Sequence, residues 1–410
     1  ASEQNGQTAQ ALVTELTPAT TYYYRFKDNT GNYSRMGRTK TAPNMNAENL
    51  RFAVASCSSI YSGYFNAYRR ISERNDLDLV LHLGDYIYDF VDEDEEVRVP
   101  TPYPQVPVGL DGWRERHRYY LQDPDLRLAR AAHPWIVMWD NHDLDTQNVA
   151  RFNQSVQAFR EWVPMQAAPE NRSGLAYRRF QYGSLVDLFM LDVLTHRNQD
   201  LIPGTTTPSI LGNSQFDWLE NHLAESTARW RVLASQKVMG TVKVNPIYAE
   251  GRSVFDLGTW DGFPASRTRL FDMIKRLGLN NQVVISGDSH VTIALDLVDN
   301  PDDPANLYDP TTNNRSIGVE ILPTSISRGN FDETLGDLVD LLDVIVPDTY
   351  ERNPHHRSLE LTKHGYGLLD FTSEKLTAEM WYSPILEVSE TEFLGLRLTS
   401  DIDTNQWNRD

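Results

Sequence analysis

From Leu50 onward the chain alternates short apolar runs with amphipathic stretches. The runs at 51–56, 77–83, 135–139, 185–191, 230–234 and 282–285 have the length and β-branched or aromatic content of buried strands. Phe65, Tyr68 and Ile71 fall on one face of a helix over 65–73. Residues 113–131, 215–226 and 266–277 read as further helices. Such alternation predicts an α/β protein with a layered sheet and helices on its faces. Later runs at 318–322, 366–371 and 376–382 are also β-like. The first 45 residues differ. Thr21-Tyr-Tyr-Tyr-Arg-Phe26, a polar turn at 29–32 and a run to Thr41 suggest strands alone. Leu16-Thr-Pro-Ala-Thr-Thr-Tyr22 resembles the tyrosine corner of an immunoglobulin-like or fibronectin type III-like sandwich. A full sandwich needs about seven strands, so only its last few fit here. The expected division is a shortened immunoglobulin-like β segment at 1–45, a main domain at 46–386 and a C-terminal tail at 387–410, with 42–48 as linker.

Composition narrows the class. Of 410 residues 40% are hydrophobic, enough for a sizeable core. No apolar run approaches the ~18 residues that span a membrane, so no transmembrane segment is expected. The net charge of −19 would repel nucleic acid, and no basic patch offsets it. The acidic stretch at 92–96 reads as a solvated loop. With Cys57 the single cysteine, the fold cannot rely on intrachain disulfides. No Gly-x-Ser-x-Gly elbow, Walker loop or Gly-x-Gly-x-x-Gly occurs, which weighs against serine hydrolases, nucleotide motors and dinucleotide enzymes.

Four apolar runs end in polar turns. They are Phe52-Ala-Val-Ala-Ser-Cys57, Leu79-Val-Leu-His-Leu-Gly-Asp85, Ile136-Val-Met-Trp-Asp140-Asn141-His142-Asp143 and Val283-Val-Ile-Ser-Gly-Asp288-Ser-His290. In a layered α/β protein these turns gather at the carboxyl edge of the sheet. Cys, Asp, Asn and His are metal ligands. One such turn could be ordinary; four at equivalent strand ends point to a metal site. His82, inside its strand, reads as a core histidine.

These motifs resemble the calcineurin-like metallophosphoesterases and, within them, the alkaline phosphatase D family. Gly84-Asp85 and Asn141-His142-Asp143 are similar to the superfamily's Gly-Asp and Asn-His-Asp/Glu motifs. Gly287-Asp-Ser-His290 and a cysteine at position 57 are similar to D-family features, as are Trp260-Asp-Gly-Phe-Pro-Ala-Ser-Arg267 and Asn353-Pro-His355. The resemblance runs from about residue 50 to 382. It implies a four-layer αββα core and a metal-dependent phosphomonoesterase or phosphodiesterase, secreted or periplasmic and monomeric. Small phosphate esters are the expected substrates, with phospholipids among the candidates. Two or more metal ions are expected; a pair ~3.5–4 Å apart lowers the pKa of a bridging water and clamps the oxygens of the displacement. Cys57, Asp85, Asn141, Asp288 and His290 are the candidate ligands, Asp85 bridging. A thiolate favours a softer ion such as iron or zinc; Asn141 suits calcium, magnesium or manganese. The resemblance implies Fe³⁺ with Ca²⁺. Asn141 and His142 are the catalytic candidates, His142 as general acid. Arg197 and His355 are candidate substrate contacts. Two departures stand out. Trp139-Asp-Asn-His-Asp143 replaces the usual Trp-Asp-Asp-His-Glu, removing a charge, and one arginine is missing from Leu191-Asp-Val-Leu-Thr-His-Arg197. The family's tyrosine ligand would fall nearest Tyr61. Rival readings are a phospholipase D-type phosphodiesterase and a non-catalytic metal- or phosphate-binding protein on the same fold.

Overall fold

The computed structural model describes residues 6–45, 47–90, 97–98, 106–165, 176–197, 208–246, 254–301, 308–312 and 315–409. The acidic stretch at 92–96 lies outside them.

In chain order, β1 (Thr21–Tyr24) and β2 (Gly37–Lys40) precede β3 (Asn49–Ala55), α1 (Asn66–Glu73) and β4 (Leu79–His82). Next come α2 (Gly109–Tyr120), α3 (Pro124–Ala132), β5 (Trp135–Val137), α4 (Val149–Trp162), β6 (Arg178–Tyr182) and β7 (Val186–Met190). Then follow α5 (Gly212–Glu225), β8 (Trp230–Ala234), α6 (Pro264–Arg276), β9 (Gln282–Ile285), β10 (Thr292–Asp296) and β11 (Gly318–Leu322). The chain ends with α7 (Phe331–Leu335), α8 (Leu342–Arg352), β12 (His356–Glu360), β13 (Gly365–Thr372), β14 (Lys375–Tyr382), β15 (Phe393–Asp401) and β16 (Asn408–Arg409).

Among the described residues two seven-stranded sheets result, ordered β12-β10-β11-β9-β8-β7-β6 and β16-β15-β14-β13-β3-β4-β5. Side-chain alternation explains how they pack. In β7, Val186, Leu188 and Met190 join one buried cluster with Phe52, Leu368 and Phe371 of the other sheet. Phe189, of opposite parity, joins a second cluster with Leu219 of α5 and Leu270 of α6. The sheets therefore meet face to face with helices outside. Phe52 meets Tyr182 at 5.1 Å between ring centroids, and Trp230 meets Phe371 at 6.2 Å. On the other outer face Tyr68 of α1 packs on Trp135, 5.7 Å away.

The helix expected over 113–131 is two helices. The first ends at Tyr120, and Asp123 caps the start of the second: its side chain accepts from the Asp125 and Leu126 N–H groups at 2.9 Å, and Pro124 follows at the first helical position. The tail expected at 387–410 is, over its described residues, part of a sheet. Leu394, Leu396 and Leu398 alternate with outward residues, and β15 pairs antiparallel with β14. Trp407, buried, donates from its ring N–H to the Glu320 carbonyl of the opposite sheet at 2.9 Å. The N-terminal segment holds the expected corner, the Tyr22 hydroxyl accepting from the Thr17 N–H at 2.9 Å. Among the described residues its named strands are β1 and β2 in one antiparallel sheet, without a second layer.

Candidate active site

Strands β3, β4 and β5 run parallel, as do β7, β8, β9 and β11 in the other sheet. Their carboxyl ends deliver short loops to one place, where open α/β sheets bind ligands. Backbone bonds lock these loops together. The Cys57 N–H donates to the Gly84 carbonyl at 3.1 Å, Ser58 N–H to Asp85 at 2.9 Å, and Gly287 N–H to Gln236 at 3.1 Å. Gly84 is required here: at φ +110° an added Cβ would lie 2.6 Å from the Asp140 Cβ.

Two donor sets overlap at Asp85. Cys57, Asp85 and His290 bring one ligand atom each within 4.8 Å of one another, and so do Asp85, Asp140 and Asp288. Cys57, Asp85, Asp288 and His290 all adopt positive φ (56°, 51°, 73° and 59°). Non-glycine residues rarely take this conformation, and it is tolerated where the surroundings hold a functional geometry. The Tyr88 hydroxyl completes the first set, donating to Asp85 Oδ2 at 3.2 Å and lying 3.3 Å from His290 Nε2.

Burial dominates the electrostatics. It pushes the Cys57 thiol well up and raises the Asp85 carboxyl. It takes Asp140 to about 8, opposed by Lys237 and reinforced by Asp288 and Asp85. The same burial pushes His290 down to about 3, which keeps the imidazole in its neutral, ligating form. His290 Nδ1–H donates to the Gly329 carbonyl at 3.0 Å, leaving Nε2 to face the cluster, as in metal-ligating histidines. Crowded acidic groups that resist ionising suit a site built for a cation.

The donor chemistry fits a metal ion in the first set: a thiol, a carboxylate and a neutral imidazole converge. The second set differs. Lys237, 7% exposed at its side chain, places Nζ 3.0 Å from Asp140 Oδ2 and in an ion pair with Asp288. It donates to Asn141 Oδ1 at 3.0 Å. The approach to Asp140 is an ion-pair contact without hydrogen-bond geometry, so both Asp140 oxygens lack a hydrogen-bond partner.

His142 sits beside the centre. Its backbone N–H donates to Asp85 Oδ1 at 3.1 Å, its Nδ1 pairs with Asp89 Oδ1 at 2.8 Å, and its ring stacks on Tyr88 at 4.2 Å. Burial disfavours the charged ring, but Asp85 and Asp89 together hold its pKa above the ordinary value.

Cys57, Asp85, Asn141, His142, Asp288 and His290 are thus brought together. Arg197 is half-buried, and among the described residues no hydrogen bond or ion pair joins it to them. His355 corrects the expectation of a substrate contact: it is fully buried, with Nε2 2.9 Å from the Thr241 carbonyl, and offers no surface to a substrate. The tyrosine at the cluster is Tyr88; Tyr61 stacks on Tyr119 instead. Asp140, Lys237 and Asp89 were not anticipated. Asp140 shares a turn with Asn141, a legible signal. Lys237 follows β8 in a plain Ser-Gln-Lys turn and gave none. His82 is a core histidine as expected, Nε2 3.1 Å from the Ser58 hydroxyl.

Paired sheets with a carboxylate-rich centre where their parallel strands end define a metallophosphoesterase-like α/β protein. The PhoD-like phosphatase family model matches residues 52–380, and that of the PhoD-like phosphatase N-terminal domain matches 1–43. The chain belongs to the PhoD-like phosphatase family. Alkaline phosphatase D of Bacillus subtilis (strain 168) is 35% identical over 350 residues, covering 77% of this chain and 57% of that protein. The chain thus spans a little over half the length of that relative. A solved structure of PhoD superposes with a TM-score of 0.81 at 28% identity, over 96% of this chain and 78% of its own. A purple acid phosphatase from yellow lupin seeds gives 0.55 at 14% identity, over 90% of this chain and 58% of its own, a likeness of fold alone. The family implies metal ions, and the clustered donors are of the kind that hold them.

Proposed function

We propose that this chain hydrolyses phosphate esters in a metal-dependent reaction, with His142 as general acid. The observation that carries the reading is Asp85. Its carboxylate belongs to both donor sets and also accepts from the His142 backbone, so metal and proton donor share one anchor. Cys57, Asp85 and His290 would hold an ion, with iron favoured and zinc the alternative for a thiolate site. An oxygen-only set such as Asp85, Asp140, Asn141 and Asp288 would suit calcium, magnesium or manganese. A metal ion bound there supplies a water of lowered pKa and neutralises phosphate charge.

The residues of the chain do the rest. Asp89 holds His142 Nδ1, so the imidazolium presents Nε2–H to the leaving oxygen. Water oxygen bonds to phosphorus, the ester P–O bond breaks, and the Nε2 proton goes to the departing alkoxide; the proton lost by the attacking water passes to solvent, from which His142 is reprotonated. The help given depends on the leaving group. General acid catalysis contributes ~10²–10⁴-fold for a poor leaving group. His142→Ala should therefore lose most of that factor on an alkyl phosphate and far less on nitrophenyl phosphate, with metal content unchanged. Equal losses on both, with metal retained, would refute the role. A nitrophenyl monoester, its diester and a phospholipid, assayed together, separate monoesterase from diesterase and phospholipase activity.

A further inference from the structure

The second donor set holds a cation of its own. We infer that the Lys237 ammonium permanently occupies the place of one metal ion, so that the centre takes a single exchangeable ion beside a fixed organic cation. The inference rests on the metal-dependent reading above and changes its count of ions.

Three oxygen-bearing residues surround Nζ. Asp140 Oδ2 and Asn141 Oδ1 lie at 3.0 Å, and Asp288 Oδ1 is in closer ion-pair contact. An ammonium has protons to give and no acceptor: Asn141 and Asp288 accept from it, and Asp140 adds an ion-pair contact. Of the set's three carboxylates, Asp140 and Asp288 contact the ammonium, and Asp85 is shared with the first donor set. Asn141, where a carboxylate would strengthen metal binding, supplies its oxygen without a charge.

Lys237 is also held in place from behind. The Ser235 hydroxyl donates to the Lys237 carbonyl at 2.7 Å and accepts from its N–H at 3.3 Å. The Gln236 side chain donates to the Trp139 carbonyl at 3.1 Å and accepts from the Val193 N–H at 3.0 Å. These bonds tie the turn after β8 to the loop after β5. A buried side chain on so fixed a backbone has little freedom to swing clear for an ion. The first set, Cys57, Asp85 and His290, is left to the metal.

The test counts ions. The whole chain, Lys237→Met and Lys237→Ala are stripped, equilibrated with excess manganese, freed of loose ion and analysed for metal per folded chain. Spin coupling between neighbouring manganese ions is read by electron paramagnetic resonance. The expected result is one ion and no coupling in the unaltered chain, and two coupled ions in either variant. Two coupled ions in the unaltered chain would overturn the inference while leaving metal dependence intact, and this count needs no variant to fold. Folded variants that stay at one ion would also overturn it. No bound ion in any of the three proteins would overturn the metal-dependent reading along with it.

Discussion

His142 combines three constraints on one side chain. Its backbone N–H is committed to Asp85, its ring face to Tyr88 and its Nδ1 to Asp89. In the proposed role, Nε2 is the atom left to transfer a proton. A general acid works while protonated, so activity should fall as pH rises through the raised His142 pKa. Asp89→Asn removes one of the charges that hold it up. The basic limb of the kcat profile should then move to lower pH, with little change in metal content. A limb that stays in place, or moves to higher pH, would show that another group sets it. Cys57, Asp85, Asp288 and His290 could be read from the chain because each follows a short apolar run. Lys237 could not, because its role depends on a long side chain reaching carboxylates delivered by other loops. Tyr88 lies three residues beyond Asp85 and not beside Cys57, so proximity along the chain pointed to the wrong tyrosine.

At the scale of elements, the close approach of the β4 and β5 loops matters most. Gly84 has positive φ, and its α-carbon faces Asp140 with no room for a methyl group. Gly84→Ala should cost about 1–3 kcal/mol of stability through strain and displacement. It should also lower activity more than that loss explains, since Asp85 and Asp140 flank the contact; denaturant melts beside kcat at a temperature where the variant is folded would check both. Unchanged stability would mean that the loops part without cost. Strands β3, β4, β7, β8 and β9 were legible as apolar runs of strand length. β10 and β12 were not, because polar and charged residues interrupt them: Asp296 of β10 is buried against Arg357 of β12. The helix break at Asp123-Pro124 carried a clear signal in its capping residue and proline.

For the whole molecule, two facing sheets form a core that, with Cys57 the single cysteine, owes nothing to intrachain disulfides. The C-terminal residues close it. Trp407→Ala should destabilise the protein by about 3–5 kcal/mol, the usual cost of deleting a buried aromatic. A denaturant midpoint shift near zero would mean that β15 and β16 are dispensable. The leucine alternation at 394, 396 and 398 could have marked this strand, but its position near the end of the chain suggested a tail. On the proposed mechanism the metal would serve chemistry rather than folding, because a chain of this length buries most of its surface without one. Stripping the protein with a strong chelator, verifying the loss by elemental analysis, and assaying nitrophenyl phosphate before and after re-addition separates these roles. The stripped protein should keep its circular dichroism spectrum, lose phosphate ester hydrolysis and regain it with added ion. Undiminished hydrolysis by protein shown to hold no metal would contradict the metal-dependent mechanism.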